Sequence, residues 1–210
     1  MASDGPSNVI FDLGGVLIDW NPRYLYRELF AGDEPAMERF LSEICSPEWN
    51  LSLDAGRQFT EAVAELSVRY PAERARIEAY HLRWLEMVAG PIAPTVALLE
   101  QLDARGVPLY ALTNWSTETF ALVRHDPDYA FLDRFRKIFV SGELRLIKPD
   151  PAIYRHVLDE IAAPAASCVF IDDSEKNVAA ASRLGLHAHR FTTPDALRLD
   201  LTQLGLLEGA

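Results

Sequence analysis

Polar side chains suited to phosphoryl transfer occur at or soon after the ends of four short apolar runs of this 210-residue chain. These residues are Asp12, Thr113, Asn114, Lys148, Asp172 and Asp173. Together they supply three carboxylates, a hydroxyl, an amide and an ammonium group. This set of groups is typical of phosphoryl transfer assisted by a divalent metal ion.

The carboxylates predict a magnesium site. Mg²⁺ is a hard cation that prefers oxygen ligands in near-octahedral geometry and keeps several waters. We expect Asp12 and Asp173 to give one carboxylate oxygen each, and the backbone carbonyl of Gly14 to give a third. Asp172 is either a further ligand or a residue that hydrogen-bonds the ligands, and the sequence leaves both roles open.

The same residues predict catalytic roles. The carboxylate oxygen of Asp12 that does not bind the metal would attack phosphorus and form an aspartyl phosphate, which water then cleaves. Lys148 and the Thr113 hydroxyl would hold the equatorial oxygens, where charge develops in the transition state. Asn114 would help to position the phosphoryl group, and we expect Trp115, the next residue, to approach the substrate.

Strands that alternate with helices would bring these residues together. Apolar runs predict strands at residues 9–11, 109–112, 138–140, 169–171 and, more weakly, 187–191. Apolar residues at helical spacing lie between them, at 95–105, 151–161 and 176–184. This alternation predicts an α/β fold with a doubly wound, Rossmann-like parallel sheet, in which ligands bind beyond the carboxyl ends of the strands.

Residues 20–90 break the alternation. Apolar faces at helical spacing occur at 24–30, 35–41, 59–68 and 72–88, and no segment here is typical of a strand. The sequence GPIAP at 90–94 would form a stiff joint where the chain returns to the sheet. We therefore predict an all-helical cap at residues 20–90, inserted into a core domain formed by residues 1–19 and 91–210.

The order Asp12, Thr113, Lys148, Asp172-Asp173 resembles the four motifs of the haloacid dehalogenase (HAD) superfamily. The motifs read FDLGGVLID, LTNWS, IKPDPAIY and FIDDSEKN, a set that is highly specific although each alone is weak. The resemblance covers essentially the whole chain, and the cap is similar to the C1 cap of that superfamily. The chain looks nearest to the α-D-glucose-1-phosphate phosphatase type and to the N-terminal phosphatase domain of soluble epoxide hydrolase. The resemblance implies a Mg²⁺-dependent phosphatase for a small phosphorylated metabolite, with a sugar phosphate as one candidate.

Gly14 departs from the family pattern. Most phosphatases of the superfamily carry a second aspartate at this position, which protonates the leaving oxygen and later activates water. Some relatives of the glucose-1-phosphate type are similar to this chain in having glycine there. The resemblance therefore implies an enzyme that favours good leaving groups or takes an acid from the cap, for which His81 is the candidate to test.

Two other functions stay open. Dehalogenases of the superfamily also lack the second aspartate, but they use no metal and have small polar residues where this chain has Asp172 and Asp173. Adjacent carboxylates near Asp12 would repel each other without a cation, which favours Mg²⁺. A catalytically degenerate HAD-like protein that only binds a ligand or a partner protein is the other alternative, although it would not need a nucleophile.

The net charge and the cysteine content of the chain limit the classes of partner and of fold that we expect. The formal net charge of −11 argues against nucleic acids and anionic membrane surfaces, since both demand a positive footprint. Cys45 and Cys168 are the only cysteines, so a disulfide scaffold is not expected. The start of the chain lacks a leader pattern and no apolar stretch is long enough to cross a bilayer, so we expect a cytoplasmic protein. The oligomeric state stays open.

Overall fold

The computed structural model of the chain describes residues 5–208. The first four residues, on which the expectation about a leader partly rests, lie outside this range. No helix between residues 5 and 208 has the length and apolar character that crossing a bilayer requires.

A five-stranded parallel sheet forms the centre of the described chain. The strands of residues 5–208 are β1 (Asn8–Phe11), β2 (Ile18–Trp20), β3 (Val88–Pro91), β4 (Leu109–Thr113), β5 (Lys137–Val140), β6 (Cys168–Asp172) and β7 (His187–Arg190). The central sheet has the order β5-β4-β1-β6-β7 with every neighbouring pair parallel. The prediction of a doubly wound parallel sheet built from five strands is confirmed.

β1 lies in the middle of this sheet and is covered on both faces. Val9 and Phe11 belong to one apolar cluster and Ile10 to another, as expected when successive side chains point to opposite faces. A strand buried on both faces needs a continuous apolar run, which is why its sequence signal is strong. The edge strand β7 is only half-buried, and its signal is correspondingly weak.

The strand order reverses at β1, because β4 lies on one side of it and β6 on the other. The carboxyl ends of β1, β4 and β6 therefore meet at one edge of the sheet. Asp12 directly follows β1, while Thr113 and Asp172 end the other two strands. A ligand site is expected at this edge.

Helices surround the sheet and fill the segment between β2 and β3. The α-helices of the described chain are α1 (Arg23–Leu29), α2 (Glu34–Glu43), α3 (Pro47–Asp54), α4 (Phe59–Arg69), α5 (Arg74–Leu82), α6 (Ala93–Ala104), α7 (Thr117–Val123), α8 (Ser141–Leu144), α9 (Pro151–Glu160), α10 (Glu175–Arg183) and α11 (Pro194–Gln203). Short 3₁₀ turns lie at Pro71–Glu73, Trp84–Met87, Pro127–Arg134 and Ala165–Ser167. The three core helices predicted from periodicity correspond to α6, α9 and α10.

The cap differs from its prediction in two places. The apolar face expected at helical spacing over 72–88 does not form one continuous helix, because a 3₁₀ turn, α5 and a second 3₁₀ turn divide this stretch before β3 begins. Helix α3 was not predicted, although Ser46 caps it by accepting a hydrogen bond from the Trp49 N–H at 3.2 Å and Pro47 occupies its first position. Its apolar residues lack a clear helical period, so only the cap residues signalled it.

A two-stranded ribbon joins the cap to the core. β2 and β3 pair antiparallel, with Ile18 opposite Pro91 and Trp20 opposite Val88. The prediction that residues 20–90 contain no strand is therefore wrong at both ends of that segment. The strands are short and β3 contains Gly90 and Pro91, residues that weaken strand signals. The domain boundaries after residues 19 and 90 stay a prediction.

Candidate active site

Asp12 is held rigidly at the tip of β1. Its backbone N–H donates to the carbonyl of Ile171 at 2.8 Å, which ties it to the end of β6. Its carboxylate Oδ1 accepts a hydrogen bond from the Leu13 N–H at 2.8 Å, and the residue is only 7% exposed. The most central strand therefore presents a buried carboxylate with a fixed orientation.

Lys148 lies between two of the carboxylates and is buried. Its ammonium Nζ is 2.9 Å from Asp12 Oδ1 and 2.7 Å from Asp172 Oδ2. It also donates to the carbonyl of Leu112 at 2.9 Å. These three oxygens match the three protons of an ammonium group, so Lys148 is fully partnered without solvent.

Asp172 is enclosed by donors beneath the site. In addition to Lys148, its carboxylate accepts hydrogen bonds from the Ser174 N–H at 2.9 Å and from the Asn177 side-chain amide at 3.0 and 3.1 Å. Asp172 is completely buried. These contacts orient Lys148 and the loop that carries Asp173.

The Asp173 carboxylate lies so close to Gly15 that any side chain at position 15 would collide with it. Gly15 adopts a φ of +72°, and a Cβ there would lie 2.6 Å from Asp173 Oδ2. At the neighbouring Gly14, a Cβ would meet no atom within 4 Å. Asp173 therefore packs tightly against Gly15, whereas Gly14, where the family pattern has an aspartate, has space for a side chain.

The three carboxylates form a group that fits a divalent cation. Asp12, Asp172 and Asp173 each offer an oxygen, and these oxygens all lie within 4.8 Å of one another. Hard oxygen donors at this spacing match the preference of Mg²⁺. The fit rests on donor chemistry and on the charge balance, since Lys148 supplies one positive charge against three carboxylates.

Burial and mutual repulsion perturb the ionisation of this group. The pKa of Asp12 is raised to about 7, mainly by burial and also by the charge of Asp172, while Lys148 opposes the rise. Burial and the charge of Asp172 also raise the pKa of Asp173. Burial alone would lower the pKa of Lys148, but the carboxylates of Asp12 and Asp172 outweigh it and raise this pKa. A bound cation would relieve the repulsion among the carboxylates.

Asn114 positions Lys148 through its backbone. The Asn114 amide nitrogen donates to the Lys148 carbonyl at 2.9 Å, and the Asn114 amide oxygen accepts from the Lys148 N–H at 2.9 Å. This reciprocal pair ties the loop after β4 to the loop that carries the lysine. Thr113 is buried at the end of β4 and lines the same cavity.

One cavity of about 330 Å³ brings the predicted residues together. Its lining includes the predicted site residues Asp12, Gly14, Thr113, Asn114, Trp115, Lys148 and Asp173. Asp172 is not among the lining residues and lies behind them. The volume is within the usual range for small-molecule sites, roughly 300–1,000 Å³.

The cap supplies lining residues that sequence reasoning missed. These are Asn50, Asp54, Phe59 and Trp84, and Trp20 from the joining ribbon lines the cavity as well. Trp84 packs against Trp115 with ring centroids 5.4 Å apart. Helix α3 ends at Asp54, and Gly56 two residues later is a helix-end signal that could have been noticed. Nothing in periodicity shows which cap side chains reach the core.

His81 does not line this cavity. Its ring stacks on Phe59 with centroids 4.4 Å apart, and its Nε2 lies 3.5 Å from Glu118 Oε2. It borders a separate groove between α4 and α5. The structure therefore gives no support to His81 as the substitute acid.

The fold and the carboxylates at the sheet edge define a Rossmann-like α/β protein with a candidate phosphoryl-transfer site. Residues 7–185 match the family described as haloacid dehalogenase-like hydrolase, and the chain belongs to that family. The superfamily resemblance is confirmed. The likeness to the glucose-1-phosphate phosphatase type stays a prediction.

Curated relatives include a phosphatase and a larger enzyme. The chain is 30% identical over 195 residues to sesquiterpene phosphatase astK of Aspergillus oryzae, covering 93% of this chain and 94% of that protein. It is 27% identical over 199 residues to drimenol cyclase drtB of Aspergillus calidoustus, covering 93% of this chain but only 36% of the relative.

Solved structures share the fold. A HAD-like family hydrolase from Porphyromonas gingivalis has a TM-score of 0.72 at 27% identity, covering 92% of this chain and 97% of that one. A HAD family enzyme from Bacteroides thetaiotaomicron, solved with magnesium and inorganic phosphate, has a TM-score of 0.68 at 25% identity, covering 90% of this chain and 95% of that one.

Proposed function

We propose that this hydrolase is a Mg²⁺-dependent phosphatase that cleaves the monophosphate ester of a small metabolite through an aspartyl phosphate on Asp12. The observation that carries the proposal is the buried Asp12 carboxylate at the tip of β1, 2.9 Å from Lys148 and grouped with two further carboxylates. Phosphatase activity in a relative that is 30% identical over nearly its whole length supports the same reading.

The metal would be held by oxygen ligands from two loops. We assign Asp12, Asp173 and the Gly14 carbonyl as ligands, as expected from the sequence. Asp172 already accepts hydrogen bonds from Lys148, Ser174 and Asn177, which favours a role in holding the ligands and the lysine in place. When bound, Mg²⁺ supplies the positive charge that lets a phosphate dianion enter an acidic cavity.

The chain's own residues supply the nucleophile and the phosphate contacts. Both contacts that we observe on the Asp12 carboxylate, from Leu13 and Lys148, fall on Oδ1, so we assign Oδ2 as the oxygen that attacks phosphorus. Thr113 would hold a phosphoryl oxygen, and the ammonium of Lys148 would stabilise the charge of the phosphoryl group from its place between Asp12 and Asp172, while Asn114 keeps Lys148 in position. The Asp12–phosphorus bond then breaks as water attacks, which releases inorganic phosphate and restores the carboxylate.

The cavity walls favour a substrate whose organic part is largely apolar. Trp20, Phe59, Trp84 and Trp115 supply four aromatic side chains around the polar floor. The amide of Asn50 is already bonded to Asp54 and Tyr80, which reduces its capacity to bind sugar hydroxyls. A prenyl or aryl monophosphate is therefore our first candidate, and a sugar phosphate such as α-D-glucose 1-phosphate is the second.

A direct comparison of products tests the proposed reaction. Phosphate release from 4-nitrophenyl phosphate is measured with Mg²⁺ and with a chelator, beside halide release from a 2-haloacid. We expect phosphate only with Mg²⁺, no halide, and no turnover by the Asp12→Asn variant. Metal-independent halide release would favour a dehalogenase. No release of either product, with a phosphorylated ligand still bound, would favour a non-enzymatic binding protein.

A second panel tests the substrate class. Farnesyl phosphate, benzyl phosphate and α-D-glucose 1-phosphate are compared by kcat/KM at saturating Mg²⁺. We expect the two apolar esters to exceed the sugar phosphate. The reverse order would restore the sugar phosphate as the better candidate.

A further inference from the structure

We propose that Asp54, the last residue of helix α3 in the cap, is the acid and base that Gly14 does not supply. This inference rests on the proposed phosphatase function. Asp54 lines the same cavity as Asp12 and Lys148, although it comes from a different part of the chain. No role was expected for it from the sequence.

The other ionisable groups of the cavity are already committed. Asp12 is the proposed nucleophile and Asp173 a proposed metal ligand, while Lys148 is paired with Asp12 and Asp172. Among the residues between 5 and 208 that line the cavity, Asp54 is the one remaining ionisable side chain. A proton for the leaving oxygen therefore has one candidate source on the cavity wall.

A chain of hydrogen bonds fixes the Asp54 carboxylate. The Tyr80 hydroxyl donates to Asn50 Oδ1 at 2.9 Å, so the Asn50 amide nitrogen faces Asp54 and donates to its Oδ2 at 3.0 Å. Tyr80 is fully buried and packs edge-on against Trp49 at a centroid distance of 5.1 Å. The carboxylate is thus oriented by a buried tyrosine one layer further from the cavity.

The backbone of Asp54 is anchored to the core domain. The Ser141 hydroxyl donates to the Asp54 carbonyl at 2.6 Å, and the same hydroxyl accepts from the Trp115 N–H at 2.9 Å. Trp115 and Ser116 belong to the loop after β4 that lines the cavity. Asp54 is therefore placed against the phosphate-binding loops of the core.

The environment of Asp54 suits proton transfer near neutral pH. Burial raises the pKa of Asp54 to about 7, while the Ser116 backbone N–H and the charge of Lys148 oppose the rise. Lys148 and Tyr80 both interact electrostatically with Asp54, and burial keeps the pKa of Tyr80 well above its usual value. A carboxyl group with a pKa near the working pH can both donate and accept a proton efficiently.

The proposed step balances as follows. Asp12 Oδ2 forms a bond to phosphorus as the ester P–O bond breaks, and the Asp54 carboxyl gives its proton to the leaving oxygen, which departs as an alcohol. Water then attacks the phosphorus of the aspartyl phosphate and passes a proton to the Asp54 carboxylate. The Asp12–phosphorus bond breaks, so inorganic phosphate leaves and both carboxyl groups return to their starting states.

The dependence on leaving group tests this role. Wild type and Asp54→Asn are compared on 4-nitrophenyl, phenyl and benzyl phosphate, which have similar size but increasingly basic leaving oxygens. We use kcat/KM because it reports the step that breaks the ester bond. We expect Asp54→Asn to lose ~10²–10⁴-fold with benzyl phosphate and less than about tenfold with 4-nitrophenyl phosphate, whose leaving oxygen needs little protonation. Equal losses on all three esters would overturn the proposal.

A control variant and a rescue variant test whether the effect is specific to the Asp54 carboxyl group. Glu61→Gln removes an exposed carboxylate of the same cap, on α4, and should show no such dependence. Gly14→Asp fits the space at that position and should restore turnover of benzyl phosphate by at least about tenfold in the Asp54→Asn background. A folded double variant that stays as slow as Asp54→Asn would also overturn the proposal.

A pH profile of the wild-type enzyme tests the role of Asp54 even if the Asp54→Asn variant does not fold. With Asp54 as acid, kcat/KM for benzyl phosphate should fall above about pH 7 relative to that for 4-nitrophenyl phosphate. A constant ratio of the two across pH would overturn the role of Asp54. If wild type with Mg²⁺ releases no phosphate from any ester, the proposed phosphatase function itself fails. If wild type is active and this ratio stays constant, the acid–base role of Asp54 is rejected and the proposed phosphatase function is kept.

Discussion

Lys148 is a single buried cation that compensates several carboxylates, and its removal should be costly. Lys148→Met leaves Asp12 and Asp172 buried without their ammonium partner. We expect the free energy of unfolding to fall by ~3–5 kcal/mol near neutral pH, the usual cost of breaking a buried ion pair from one side. The loss should shrink at about pH 5, where Asp12 takes up a proton. Urea unfolding at the two pH values measures both effects.

An exposed lysine provides the control for this substitution. Lys137 pairs with Glu160 on the surface, and its side chain is 49% exposed. Exposed pairs contribute little, so Lys137→Met should change the stability only slightly at either pH. Equal effects of the two substitutions would show that Lys148 is not the electrostatic centre of the site.

The adjacent glycines after Asp12 should differ sharply in their tolerance of a methyl group. Gly15→Ala places a Cβ 2.6 Å from Asp173 Oδ2 at a φ of +72°, whereas Gly14→Ala meets no atom within 4 Å. A left-handed conformation costs an alanine about 1–2 kcal/mol, and the clash must also displace the proposed metal ligand. We expect Gly15→Ala to weaken the rise in melting temperature caused by Mg²⁺, and Gly14→Ala to weaken it far less. Similar behaviour of both variants would contradict the tight contact at Gly15.

The sequence predicted the residues at the strand ends but not those that the cap contributes. Asp12 and Asp173 follow buried strands, and parallel pairing brings the ends of such strands to one edge whatever the details of packing. Asp54 reaches the cavity only because α3 ends at a particular place against Ser141 and Trp115. That placement depends on tertiary contacts between residues far apart in the chain, which periodicity does not encode.

At the scale of elements, the Ser141 hydroxyl links the cap to the core. It donates to the carbonyl that ends α3 and accepts from the loop after β4. Ser141→Ala leaves the Asp54 carbonyl and the Trp115 N–H without this partner in a fully buried position. We expect a loss of ~1–3 kcal/mol in the free energy of unfolding, and a higher KM because the end of α3 is less well held. Urea unfolding and steady-state kinetics measure the two effects.

A serine within the cap serves as the comparison. The Ser42 hydroxyl of α2 donates to the carbonyl of Arg39 on the exposed side of the helix. Water can replace that bond, so Ser42→Ala should have a small effect on stability and none on KM. If Ser141→Ala behaves like Ser42→Ala, the link between α3 and the core loops is not energetically important.

Element prediction succeeded where burial gives a strong pattern. Four strands of the central sheet, β1, β4, β5 and β6, contain β-branched or apolar runs with buried residues, and α6, α9 and α10 each bury one face, whereas the edge strand β7 gave only a weak signal. The ribbon of β2 and β3 was missed, because its strands are short and contain Asp19, Gly90 and Pro91. Its stability comes from pairing between distant segments, which a local pattern does not reveal.

At the scale of the whole molecule, the negative charge should make binding of the proposed phosphate substrate dependent on a cation. The formal net charge is −11, and Lys148 is the one basic side chain among the residues between 5 and 208 that line the cavity. Asp12, Asp54 and Asp173 line the same space. A phosphate dianion would be repelled unless a divalent ion offsets these carboxylates. Mg²⁺ binding should therefore dominate both activity and stability.

The pH dependence of stability should show whether protons and Mg²⁺ compete for the carboxylates of the cavity. Burial raises the pKa of Asp12 and of Asp54 to about 7, so the folded chain retains protons that an unfolded aspartate releases near pH 4. At these two groups the native state then binds more protons than the unfolded state across this window, and their contribution to the free energy of unfolding falls as pH rises from about 4 to about 7. Mg²⁺ competes with protons for Asp12, so it should raise the melting temperature strongly at about pH 8 and weakly at about pH 5.

Thermal melts with Mg²⁺ or with a chelator at these two pH values measure the effect, and Asp12→Asn is the control. That variant keeps the shape of the side chain but removes one proposed charged ligand and one carboxyl group with a raised pKa. The rise in its melting temperature caused by Mg²⁺ should therefore largely disappear at both pH values. Its melting temperature with the chelator should fall less between about pH 5 and about pH 8 than that of wild type, because the variant lacks one of the two carboxyl groups whose pKa is raised to about 7. A Mg²⁺ effect of equal size at both pH values in wild type would mean that the ion binds away from the titrating carboxylates.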